Sequence, residues 1–178
     1  MLPQVQEAPL RRAETGLVPD GDGWFVVNIA EAQGTHTERF GDASIFEPRV
    51  GAFPELGINV RVLQPGQPGA MYHREDAQEG FLVLSGACLA IVEDEERPLR
   101  KGDFLHSPPG TAHVLVGAGD GPCAVLMVGS RKRSPEIEFP ASATAARYGA
   151  SVEEDTNERG VAYAGISPPE PASIGLPW

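Results

Sequence analysis

Tyr72-His73-Arg74-Glu75-Asp76-Ala77-Gln78-Glu79-Gly80 decides how this chain is read, together with its counterpart Gly102-Asp103-Phe104-Leu105-His106-Ser107-Pro108-Pro109-Gly110-Thr111-Ala112-His113. Side chains alternate along an extended strand, so His73 and Glu75 point to one side. Glu79 opens the apolar run Gly80-Phe81-Leu82-Val83-Leu84-Ser85, which Gly86 closes, and its character predicts a buried strand. The second stretch predicts a turn at Lys101-Gly102-Asp103, a strand, a break at Pro108-Pro109-Gly110, and a further strand that carries His113 into Val114-Leu115-Val116. Two imidazoles and two carboxylates make an N/O donor set suited to Fe, Mn, Ni, Zn or Cu, with positions open to water or substrate. Taken singly, each residue also reads as a surface histidine or a solvated acid; the joint spacing predicts one divalent transition metal per chain on His73, Glu75, Glu79 and His113. Glu75 and Glu79 are also the candidate catalytic groups, one of them free to act as base. The alternative is a three-ligand set of His73, Glu79 and His113 with Glu75 turned away.

Outward from these stretches the chain breaks into short strands: residues 58–63, 70–75, 79–85, 88–93, 98–100, 103–107, 112–116 and 123–129. Gly and Pro punctuate the junctions, as in Gln64-Pro65-Gly66-Gln67-Pro68-Gly69. Short strands at such spacing predict an antiparallel sandwich or barrel, not alternating β and α units.

With the spacing His-x-Glu-x3-Glu-x6-Gly followed by Gly-x5-Pro-x-Gly-x2-His, the chain resembles the cupin family over about residues 56 to 130. Three positions depart from the family pattern: Glu75 stands where a second His is usual, Gly117 where an Asn is usual, and Gly66 and Gly69 flank the place of the opening Gly. The resemblance implies an all-β, cupin-type double-stranded β-helix, a jelly-roll barrel, to which the flanking residues add an N-terminal strand extension, a short C-terminal helix and a Pro-rich tail. It also implies a homodimer paired through its sheets, with the N-terminal segment a candidate for exchange.

One domain is expected from 178 residues with 41% hydrophobic content. Residues 1–22 read as a loose polar arm and 23–55 as an extension packed on the barrel, with Trp24-Phe25-Val26-Val27 a strand and Asn28 to Glu31 a helical turn. Residues 56–130 are the barrel, and 131–178 a short helix at Ala141–Tyr148 stopped by Gly149, then an extended tail. A net charge of −11 argues against nucleic acid and anionic membranes as partners. Arg131-Lys132-Arg133 reads as a solvated loop. No apolar leader core or membrane-length span is visible, which predicts a cytoplasmic protein. Cys88 and Cys123 read as buried free thiols, and His36 stands without a constellation.

The same alternation sends Met71, Phe81, Val83 and Leu115 towards the metal and predicts a largely apolar substrate pocket. Asn59 and Arg61 share a strand face opposite Ile58, Val60 and Val62; facing inward, Arg61 could hold a substrate carboxylate, but the outer surface is the expectation. His106 is open between a supporting donor, a base at the pocket mouth and an exposed strand residue.

The leading functional expectation is an enzyme acting on a small organic molecule by oxygen-dependent, dioxygenase-like chemistry in that pocket. The alternatives are a non-redox isomerase, decarboxylase or lyase, and a non-catalytic module that binds a small ligand. Sugar-phosphate chemistry ranks lower, since only Arg61, Arg74, Arg97, Arg100 and Lys101 are basic between residues 56 and 130.

Overall fold

The computed structural model describes residues 2–48, 53–132 and 136–178. The first two strands, β1 (Leu10–Arg12) and β2 (Leu17–Pro19), form a hairpin. They are followed by β3 (Gly34–Thr37), β4 (Gly41–Ile45), β5 (Leu56–Leu63), β6 (Arg74–Glu75), β7 (Glu79–Ser85), β8 (Ala87–Val92) and β9 (Glu95–Arg100). Then come β10 (Phe104–Ser107), β11 (His113–Ala118), β12 (Cys123–Ser130), β13 (Ile137–Glu138), helices α1 (Ala143–Ala146) and α2 (Arg159–Ala162), and β14 (Glu170–Ala172). The larger sheet has the order β10-β7-β12-β5-β4-β3-β14, and β11-β8-β9 forms a smaller one facing it. Among the described residues the named strands pair antiparallel, and two isolated bridges, Glu7 with Trp24 and Leu17 with Ala32, are parallel.

Between the sheets lies one row of side chains that changes character along its length. Leu63, Val83, Cys88, Cys123 and Val125 fill one end of the barrel as a packed core with Phe81 and Leu115. Towards the other end the same strand faces carry Asn59 and Arg61 on β5, Glu79 on β7, Met127 on β12 and His113 on β11, and there a cavity opens. The register explains the match, since Asn59 pairs with Met127 and Met127 with Phe81, while Gly129 pairs with Glu79. Directly paired residues share a face.

β5 carries its apolar residues on the opposite face. Val60, Val62 and Ala124 are buried there beneath Ile29, Phe46, Ile174 and Leu176. The cover comes from the N-terminal segment and the Pro-rich tail, which pairs through β14 with β3 and whose Pro177 carbonyl accepts from the Ser85 hydroxyl at 2.9 Å. The tail thus runs over its own barrel.

Several local expectations change. Residues expected to be a loose arm include the β1–β2 hairpin, in which Val18 is 1% exposed. Trp24 to Val27 do not form a strand: Trp24 bridges Glu7 alone, and Val26 is exposed. The Asn28 turn is present, with the Asn28 carboxamide accepting from the Ala30 N–H at 2.9 Å. α1 is shorter than expected; the Ser142 hydroxyl caps its start, its C-cap is Arg147, and the turn that follows ends at Gly149 with φ 68°. Pro98 falls on the edge strand β9, where a missing N–H costs no ladder bond. Both cysteines are buried free thiols.

Candidate metal centre

His73 and His113 face each other across a two-bond backbone bridge, the His73 N–H donating to the His113 carbonyl at 3.2 Å and the reverse bond measuring 2.8 Å. Opposed residues of such a pair project to one side, and the two imidazole centroids lie 5.1 Å apart. Glu79, first residue of β7, reaches them from the larger sheet; its Oε2 lies 3.1 Å from Nε2 of His113. Gly129 lies opposite it on β12, where a β-carbon would make an ordinary contact at 3.4 Å with Cγ of Glu79. One ligand atom from each of His73, Glu79 and His113 fits within a mutual separation of 4.8 Å.

The imidazoles are oriented through their other nitrogens. Nδ1 of His73 lies 2.7 Å from the Met71 carbonyl, and Nδ1 of His113 lies 3.0 Å from the Thr111 carbonyl and 3.3 Å from the Ser107 hydroxyl. A carbonyl only accepts, so each Nδ1 carries the proton and Nε2 is the nitrogen offered to a metal. A neutral Nε2 facing a carboxylate at 3.1 Å would set two lone pairs against each other. A proton or a cation between them resolves this, and the donor set therefore fits a divalent metal.

The titrations follow the same geometry. Burial lowers the pKa of His73, and the neighbouring His113 lowers it further. Burial also opposes charge on His113, but the hydrogen bond and charge of Glu79, with the Thr111 carbonyl and Glu75, outweigh it and raise that group. Glu75 is raised by burial and then by the Glu79 charge, with Arg159 acting against them.

Glu75 lines the same cavity but does not belong to the close three-donor cluster. Phe81 and Leu115 line the cavity. Val83 faces the interior but stands deeper, in the packed end. Met71 lies instead against Phe40, Phe139 and Ala162, because the chain bends at Tyr72 and breaks the alternation expected from residue 70. His106 is exposed on β10, outside the cavity and beside Leu56 and Phe104. His36 pairs across β3 and β4 with Asp42 at 2.7 Å.

The largest correction concerns Asn59 and Arg61, which turn inward and line the cavity. Their strand can present its polar face to the barrel because the terminal segments cover its apolar face. Nη1 of Arg61 donates to the Phe40 carbonyl at 3.0 Å, while among the described residues its Nε and Oδ1 of Asn59 are buried without a partner. Burial lowers the pKa of Arg61, opposed by Tyr163 and Asp42; a guanidinium remains charged under these conditions. Arg131 and Lys132, expected in a solvated loop, stand at the cavity wall, paired with Glu47 at 2.6 Å and Asp76 at 2.8 Å. Arg133 lies outside the described residues. Arg159, on α2, also lines the cavity and has no signal in the sequence around the motifs. The cavity, about 560 Å³, is therefore of mixed polarity and not largely apolar, and three of its four basic side chains come from beyond residue 130.

A jelly-roll barrel with two imidazoles and a carboxylate converging inside one end is a double-stranded β-helix with a candidate metal site. Residues 59–129 match the family described as Cupin domain. A sugar phosphate isomerase of the cupin superfamily from Silicibacter pomeroyi is 25% identical, with a TM-score of 0.49 over 54% of this chain and 62% of that one. The polyketide cyclase RemF from Streptomyces resistomycificus is 13% identical, with a TM-score of 0.53 over 63% of this chain and 83% of its own, a likeness of fold alone. An uncharacterised protein of Methanocaldococcus jannaschii is 21% identical over 82 residues, 46% of this chain and 66% of that protein. The chain thus spans somewhat less than two thirds of this curated relative and of the isomerase. Among the described residues, no helix is long and apolar enough to cross a membrane.

Proposed function

We propose that the protein is a metal-dependent enzyme that acts on a small organic molecule by oxygen-dependent, dioxygenase-like chemistry. The observation that carries this reading is the donor set itself. His73 and His113 present Nε2 towards Glu79, and two histidines with one carboxylate is the ligand combination of non-haem Fe(II) oxygenases with open positions. A bound redox metal would supply those positions to O2 and substrate. The protein's own contribution is orientation and exclusion of water. The Met71 and Thr111 carbonyls fix both rings, Phe139 stands 6.1 Å from His73 and Phe81 stands 5.1 Å from His113.

Glu75 favours a second reading. It is a half-buried carboxylate on the cavity wall beside the donors, placed to accept or return a proton in a non-redox isomerase or lyase. The two readings separate in one experiment. Metal-loaded protein incubated aerobically with phenolic, diketone and thiol substrates should consume oxygen in an electrode. With metal bound and no uptake across the panel, the oxygen-dependent reading fails. The proton-transfer reading then requires solvent deuterium incorporation next to a substrate carbonyl, lost in Glu75→Gln.

A further inference from the structure

We infer that Arg61 and Asn59 form a subsite for the carboxylate of a small hydroxycarboxylic acid, facing the His73, Glu79 and His113 cluster across the cavity. The inference rests on the reading of this cavity as a substrate site.

The guanidinium is held and incompletely used. Nη1 is committed to the Phe40 carbonyl at 3.0 Å, and among the described residues Nε has no partner although it is buried. Among the described residues no hydrogen bond is made by Nη2 either. The unused Nε and Nη2 lie along one side of the planar group, the edge that grips a carboxylate through two parallel N–H···O bonds. A buried donor without a partner carries a desolvation cost that an oxyanion would remove.

Asn59 lies two residues earlier on the same face, and among the described residues its buried Oδ1 also lacks a partner. An acceptor next to a charged donor edge calls for a ligand with an oxyanion and a neighbouring hydroxyl. The charge available favours a carboxylate over a phosphate: Arg131 and Lys132 are already paired with Glu47 and Asp76, and Arg159 is exposed. On the β5 wall itself that leaves the half-buried Arg61 as the one cation, matched to one negative charge, with Arg159 standing at the exposed side of the cavity.

Calorimetric titration of lactate, malate and mandelate tests the subsite, with the corresponding amides, propionate, inorganic phosphate and glycerol 3-phosphate as comparisons. Each is titrated into metal-loaded protein and into a His73→Ala variant, which separates binding at Arg61 from chelation of the metal. At least one hydroxycarboxylate should bind both forms, its amide should not, and Arg61→Gln should weaken it by roughly 10-fold or more, the scale of a lost charge-assisted bond. Asn59→Leu should abolish the preference for lactate over propionate, a readout that remains if Arg61→Gln fails to fold. Carboxylate affinity unchanged in Arg61→Gln, phosphates bound in preference to carboxylates, or no binding of any acid to either form would each overturn the inference. Failure of metal uptake, read by elemental analysis, would sink the metal reading and leave Arg61-dependent binding to His73→Ala standing.

Discussion

Nε2 of His113 lies 3.1 Å from Oε2 of Glu79 while its Nδ1 lies 3.0 Å from the Thr111 carbonyl, so one imidazole joins the acid of β7 to the backbone of the turn before β11. If that relationship is a metal site, each of the three donors is needed. Glu79→Ala, His73→Ala and His113→Ala should each lower affinity for a divalent metal by more than about 100-fold, beyond the range for outer hydrogen-bond partners. Elemental analysis after gel filtration checks this, and full metal content in all three variants would remove the assignment.

Glu75 should behave differently from Glu79. It shares the cavity but not the three-donor cluster, so Glu75→Ala should retain metal at the wild-type stoichiometry, with affinity falling by less than about 10-fold, below the cost of losing a ligand's own supporting partner. A loss as large as that of Glu79→Ala would make Glu75 a fourth ligand, as the donor spacing along an ideal strand suggests. Isothermal titration of the apo-variants with Mn(II) or Zn(II) distinguishes these outcomes.

The contrast between these residues shows what a sequence carries and what it does not. His73, Glu79 and His113 were legible because strand period and turn residues dictate where they arrive, and neither depends on distant chain. Arg61 was not, because alternation gives two faces without saying which is inner; Ile29, Phe46, Ile174 and Leu176 decide that from far along the chain. Met71 failed for a local reason, the bend at Tyr72, whose N–H donates to the Ala150 carbonyl at 2.6 Å. Arg159 reaches the cavity from a four-residue helix that no motif announces.

Gly117, which departs from the family's Asn, should not tolerate the family residue. A β-carbon at this position would lie 2.1 Å from the Gln64 carbonyl oxygen and 3.1 Å from Cβ of Leu63. The backbone cannot easily retreat, since Gly117 accepts from the Gly66 N–H at 2.8 Å and donates to the Gln67 carbonyl at 2.9 Å. Gly117→Ala and Gly117→Asn should each lose about 1–3 kcal/mol or more, the usual cost of overpacking. Urea unfolding at neutral pH measures it, and an unchanged midpoint would mean that the turn at Gln64 yields freely.

Asp94 should give the fold an acid-sensitive fastening. It sits with Glu93 in the β8–β9 turn, both at positive φ (49° and 64°), a conformation that suits a two-residue hairpin but is uncommon outside Gly, Asn and Asp. Its N–H donates to the Tyr72 hydroxyl at 2.9 Å, and its carboxylate accepts from the Ser142 hydroxyl and, at 3.3 Å, from the Thr144 N–H, tying the turn to the start of α1. The Ser142 bond and then the Thr144 bonds hold the Asp94 carboxyl below its ordinary value of 3.8, against a smaller opposing effect of burial. A depressed folded-state pKa stabilises above the unfolded value and loses that contribution as pH falls through the folded one. Asp94→Asn retains a residue tolerant of positive φ and removes the charge. Its thermal midpoint should lie below wild type at pH 6, with the gap narrowing as the pH is lowered past about 4 towards 3. A gap that stays constant over that range would show that the charge of Asp94 adds nothing to the tie between turn and helix.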